Sequence, residues 1–193
     1  MERDELAERL GVIEAMIAEG RRDTEYWGWA FILWGLGHLI AALWGAVHAA
    51  AWPVTMTACG VLTGVIAYRQ RRRGGKSTAA GRTLAALWAS LGGSLFVAMV
   101  GGMIGDPPGG AVVTTFFLVM GAASVASGVI VRWPWWSGLG VLWWGAALGS
   151  MIAGPEVTFW LFVAMAAVGE VGFGAYLMIL ERREPASGQA AGS

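Results

Sequence analysis

Charge is scarce in this chain and missing from its longest stretches. Only 13% of the 193 residues are Asp, Glu, Lys or Arg, against about a quarter in a soluble domain. From Tyr26 to Tyr68 forty-three consecutive residues include none of them. A water-soluble fold does not cover such a run, which excludes a soluble enzyme, and the 56% apolar content excludes a disordered chain. One cysteine, Cys59, rules out an intrachain disulfide and a disulfide-built secreted domain. Midway along an apolar segment, it reads as a small hydrophobe. Asn is absent, so there is no N-glycosylation sequon. Thirteen basic and thirteen acidic residues cancel, leaving no global field to attract nucleic acid.

What remains is a polytopic all-α membrane protein. A hydrocarbon core of about 30 Å takes about 20 helical residues, and forty-three in one helix would reach about 65 Å, so the chain turns back. Trp52-Pro53 marks the break, since proline suits a first helical turn and the residue before it avoids helical angles. The expected helices are 27–50, 53–68, 83–104, 111–131, 135–153 and 157–180, six spans in three hairpins. The turns between them are read from Gly105-Asp106-Pro107-Pro108, Arg132-Trp133-Pro134 and Gly154-Pro155-Glu156. The spans are apolar all round, without the ten-residue alternation of a barrel strand.

Residues 1–25 hold eight acids and four arginines, unlike a cleaved signal peptide, so the first span is expected to be retained. Leu6, Leu10, Ile13 and Ile17 there predict one cytoplasmic amphipathic helix. Its acids disfavour anionic lipid and favour a helix–helix contact. Residues 26–184 form the membrane domain and 185–193 a flexible cytoplasmic tail.

Sidedness follows from the basic residues. Arg69, Arg71, Arg72, Arg73, Lys76 and Arg82 lie in one connection; with the N-terminus, Arg132 and the C-terminus, that side holds all thirteen. The three opposite connections carry only Asp106 and Glu156. Both termini are therefore expected in the cytoplasm. Tyr26, Trp27, Trp29, Trp133, Trp135 and Trp136 fall at the inner boundary, and Trp52 and Trp160 near the outer one. Twelve of the thirteen basic residues are Arg, which with abundant Ala and Gly suggests GC-rich codons and a bacterial inner membrane.

Leu33-Trp34, Leu87-Trp88 and Leu142-Trp143 recur fifty-four and fifty-five residues apart, a threefold parallel repeat if genuine. Small residues pair at four-residue spacing: Ala41 with Gly45, Gly60 with Gly64, Ser124 with Gly128, Gly145 with Gly149. Such pairs let helices approach closely in lipid, within the bundle or between subunits.

Glu170 is the only formally charged residue inside a predicted span, near mid-depth. Ionised and alone it costs about 2.5–3.5 kcal/mol on insertion scales. It must be neutral, paired or wet. His38 and Ser94 lie at comparable depth in helices one and three. Glu170 and His38 are expected to face the bundle interior as a hydrogen-bonded pair, with Ser94 as an additional polar contact. The pair either fixes helix packing or relays a proton or ion. His48 is expected at the outer interface, ten residues from His38 and too far to share a metal, and no metal site or cofactor is expected. Gly75-Lys76-Ser77 lacks the leading glycine and strand of a phosphate loop, and no Gly-x-Ser-x-Gly elbow occurs. No enzyme is expected.

Val12–Leu39, with Ile17-Ala18-Glu19-Gly20-Arg21-Arg22 leading into Tyr26-Trp27-Gly28-Trp29 and Leu33-Trp34-Gly35, resembles small uncharacterised bacterial inner-membrane proteins with a charged helix before several spans. In layout alone, the six spans more distantly resemble the HdeD-type acid-resistance membrane proteins. The acidic N-terminal helix and the Trp content depart from that type, and no functional residue is carried over. Two functions stay open. One is a non-enzymatic accessory, regulatory or structural component that associates with itself or a partner membrane protein in the bilayer. The other is a small transporter or channel using Glu170 and His38.

Overall fold

The computed structural model describes residue 11 and residues 27–45, 47, 48, 50–72, 79–105 and 110–183. The expected amphipathic helix at Leu6, Leu10, Ile13 and Ile17, the tail at 185–193, and Arg73 and Lys76 lie outside the described residues. The described residues are helical and contain no strand. In chain order the helices are α1 (Gly28–Gly45), α2 (Ala51–Arg72), α3 (Ala79–Gly105), α4 (Ala111–Ile130), α5 (Pro134–Ile152), α6 (Pro155–Met165) and α7 (Phe173–Arg183). A π-helical segment, π1 (Ala166–Gly172), joins α6 to α7 without a break, so these three form one rod.

Five of the rods are long and apolar enough to cross a membrane: Gly28–Gly45, Ala51–Arg69, Ala79–Gly102, Ala111–Ile130 and Pro155–Leu180. α5 is not among them, although it is 19 residues long and uncharged. Its four tryptophans and four glycines lower its mean hydropathy. Local chemistry accounts for the helix starts. Pro134 and Pro155 stand in the first turns of α5 and α6, where a missing N–H costs nothing. Glu156 stands in the first turn of α6, where an anion suits the dipole. α2 begins at Ala51, one residue before the expected break, and keeps Pro53 within its first turn.

The α4–α5 turn is closed by an unusual residue. Arg132 takes φ +52°, the left-handed region, while Trp133 N–H donates to Gly128 C=O at 2.7 Å. This is a Schellman closure with arginine where glycine is usual.

α4 and α5 then run antiparallel in close contact. A Cβ on Gly128 would strike Ser137, and one on Gly121 would strike Trp144. At the far end, Thr114 Oγ1 and Ser150 Oγ hydrogen-bond at 2.7 Å. α1 packs between α2 and the α6–π1–α7 rod, α5 packs on α6, and α3 packs on α4. The core lies among α1, α4, α5 and that rod, with Trp136, Trp143, Phe117 and Leu177 fully enclosed. α2 and α3 are peripheral: few of their residues are buried, and Val61, Val65, Phe96 and Val97 among others point outward.

The small-residue pairs and the boundary aromatics take different faces. Among the described residues Gly60 and Gly64 meet nothing within 4 Å, so that pair packs against none of the described helices, and Gly145 is likewise open. Ser124 and Gly128, by contrast, are buried between α4 and α5. Of the aromatics expected at the inner boundary, Trp133 and Trp136 are 3% and 2% exposed and pack inward, whereas Trp135 between them projects outward, at 76%.

Candidate functional site

α1 and π1 touch because α1 lacks side chains where they meet. Gly28 and Gly35 are seven residues apart, two helical turns, and so share one face. A Cβ on Gly35 would lie 2.8 Å from Glu170 Cβ and 3.0 Å from the Val171 backbone N; one on Gly28 would lie 2.7 Å from Gly174 O. Gly174 returns the contact, its own would-be Cβ falling 2.6 Å from Gly28 O. One turn beyond Gly35 along α1, His38 meets Glu170.

His38 Nδ1 and Glu170 Oε2 are 2.7 Å apart, at 5% and 1% residue exposure. A proton must join them: either the imidazole N–H donates to the carboxylate or the carboxyl O–H donates to Nδ1. Held as imidazolium–carboxylate or as imidazole–carboxylic acid, the pair has zero net charge and places no uncompensated ion in the core. Glu170 sits within π1, a register that is rare and concentrated at functional sites.

Aromatic rings close the pair on both sides. Phe116 lies edge-on to the imidazole at 4.8 Å, with Phe162 at 5.9 Å, Trp34 at 6.0 Å and Trp52 at 6.4 Å. Phe117 and Trp143 extend this layer. Towards the other end of the bundle a second layer joins Phe31 with Trp88, Trp136 and Phe173 at 5.3–5.7 Å. A cavity of about 320 Å³ opens at the end carrying the α1–α2 and α5–α6 connections and Gly110. Trp52 and Phe162, which both face His38, line it and separate it from the imidazole.

The remaining predicted residues stand apart. Ser94 is exposed and donates to Ser90 C=O of its own helix at 3.0 Å, so it adds nothing to the pair. A serine in a helix commonly satisfies itself this way. His48 is exposed beside Trp44. Arg69, Arg72 and Arg82 are exposed at the ends of α2 and α3, and Arg72 stacks over Tyr68 at 5.0 Å. Arg71 is helical, ending α2 with Arg72.

Three features went unread in the sequence. Cys59 faces α1, where Sγ donates to Leu33 C=O at 3.7 Å and lies against Gly37. Trp34 Nε1 donates to Thr63 Oγ1 at 3.0 Å, and Trp88 Nε1 to Ser127 Oγ at 3.1 Å. Each bond joins the first helix of a hairpin to its second. The Leu-Trp recurrence was the available signal, but periodicity does not reveal which hydroxyl receives each indole.

Two potential ligands meet at this site, and no group of three that could hold a metal occurs among the described residues. Chemically, the pair can hold one proton and pass it between two atoms. Compared with known proteins, the chain matches no family model, no curated protein and no solved structure.

Proposed function

We propose that this chain is a non-enzymatic component of a bacterial inner membrane, accessory, regulatory or structural, acting through helix association. It crosses six times, with both termini and all basic connections in the cytoplasm. Support for the sixth crossing is the contact of α5 with α4 from the Gly128–Ser137 end to the Thr114–Ser150 end. If α4 spans, α5 runs back beside it, and its 19 residues reach about 28 Å. The positive-inside asymmetry supports the orientation.

The observation that carries the association reading is the enclosure of the one mid-span acid. Glu170 is spent on a contact joining the first span to the last, shut in by aromatic layers, with Trp52 and Phe162 standing between His38 and the cavity they line. Transport through this site would need an aqueous approach from each side. Meanwhile α2 and α3 offer long apolar flanks to lipid or to partner helices. The test is reconstitution of wild type and Glu170→Gln into liposomes carrying a pH-sensitive dye, with the oligomeric state of each followed in native membranes. No proton flux from either protein, with a change in stability or assembly in the variant, supports association. Wild-type flux abolished in Glu170→Gln contradicts it and favours the transporter reading, for which π1 at Glu170 is the one structural argument.

A further inference from the structure

Trp143 Nε1 is buried and has no hydrogen-bond partner among the described residues, in a side chain fully enclosed by the core. Leaving such a donor unsatisfied in the core is costly. The corresponding tryptophans do not bear this cost. Trp34 in the first hairpin and Trp88 in the second each donate to a hydroxyl on the returning helix. In the third hairpin the returning rod passes Trp143 at Gly169, whose would-be Cβ lies 3.1 Å from Trp143 Cζ2 and 3.4 Å from Cε2. Cε2 is bonded to Nε1, so the donor edge borders this slot. Across π1 the sequence Ala-Ala-Val-Gly-Glu-Val-Gly offers one polar side chain, that of Glu170.

Glu170 is one residue beyond the slot and now faces α1. A π segment holds an extra residue relative to an α-helix, and that residue can be passed along the helix by exchanging one hydrogen bond at a time. Passing it towards α6, to the N-terminal side of Glu170, sets Glu170 where Gly169 now stands. A Cβ in the slot meets side chains at its three nearest contacts, the indole and the flexible end of Met165 at 3.4 Å, so Trp143 and Met165 must give way to seat the acid. No backbone atom blocks it.

From this we infer that Trp143 Nε1 is a second hydrogen-bonding seat for the Glu170 carboxyl group. One-residue movement of the π segment transfers the carboxyl from His38 on α1 to Trp143 on α5. The transfer removes the polar tie between α1 and the last span at His38, leaves the Gly28–Gly174 contact in place and keeps the acid satisfied, which makes the pair a switch between two local arrangements. The inference is independent of whether the chain associates or transports.

The test is solution NMR of the full chain with ¹⁵N-labelled indoles, the Trp143 resonance being assigned by Trp143→Phe. His38→Phe keeps a ring but removes the first partner. In that variant the Trp143 indole proton is expected to move downfield, and the further change Glu170→Leu is expected to reverse the shift. An unmoved resonance in a folded His38→Phe protein overturns the inference. If that variant does not fold, relaxation dispersion at the Trp143 indole of the wild type decides. Exchange that disappears in Glu170→Leu supports the second seat, and a flat wild-type profile overturns it.

Discussion

At Gly35 a single methyl group decides whether the first and last spans can touch. The would-be Cβ is 2.8 Å from Glu170 and from a Val171 methyl, and 3.0 Å from backbone, so the helices must separate to admit it. Gly35→Ala is expected to cost about 1–3 kcal/mol through overpacking, read as a lower melting temperature in detergent. Gly60→Ala, in open space, serves as the control and is expected to leave the melting temperature unchanged or raise it. The pair itself is open to a double-mutant cycle. His38→Leu and Glu170→Leu each strand a buried polar group, at a cost of about 1–3 kcal/mol. The double variant is expected to lose clearly less than the sum, because it strands neither. Additive losses would mean that the 2.7 Å contact contributes no coupling.

The element with most leverage is π1. Deleting Val168, whose side chain is 69% exposed and packs little, removes the extra residue and lets the rod run α-helical throughout. Because the π segment absorbs its extra residue between flanks that stay in helical phase, α6 and α7 keep their relative orientation, and Glu170 moves to the position Gly169 now holds. Glu170 then leaves His38, while Phe162 and Thr158 of α6 keep their places in the core. A large fall in melting temperature is expected, whereas Ala in place of Val168 should have little effect. The α4–α5 turn makes the opposite demand. Arg132 at φ +52° carries left-handed strain of about 1–2 kcal/mol. Arg132→Gly is therefore expected to stabilise the turn by up to about 1 kcal/mol, less the added freedom of glycine when unfolded, with thermal unfolding as the check. Helix ends were legible to within a few residues because proline, glycine and charge punctuate the chain. The π segment was not legible: Ala166–Gly172 has no local mark, and its register follows from docking Gly174 on α1 and Phe162 in the core at once. Ser94 was misplaced for a related reason. Depth along a span is readable from sequence, but the face a serine presents is set by helix rotation. The outward Gly60 and Gly64 teach the same lesson, since four-residue spacing defines a stripe and leaves its partner unspecified.

For the whole molecule, the all-helical class could be read from missing charge alone, and five spanning helices follow from length and hydropathy. What composition could not give was the division between a core of α1, α4, α5 and the α6–π1–α7 rod and a periphery of α2 and α3. Every span is oily, so burial here depends on which faces find close approach. Six crossings around a closed acid–imidazole contact can be tested together by cysteine accessibility in intact cells and inverted vesicles. On a Cys59→Ala background, single cysteines replace Gly75, Gly109 and Ala166, the last 1% exposed and one turn from Glu170. With a membrane-impermeant maleimide, position 75 is expected to react only from the cytoplasmic side, position 109 only from the opposite side, and position 166 from neither. Labelling of position 75 from outside would overturn the threading, and labelling of position 166 from either side would overturn the closed core.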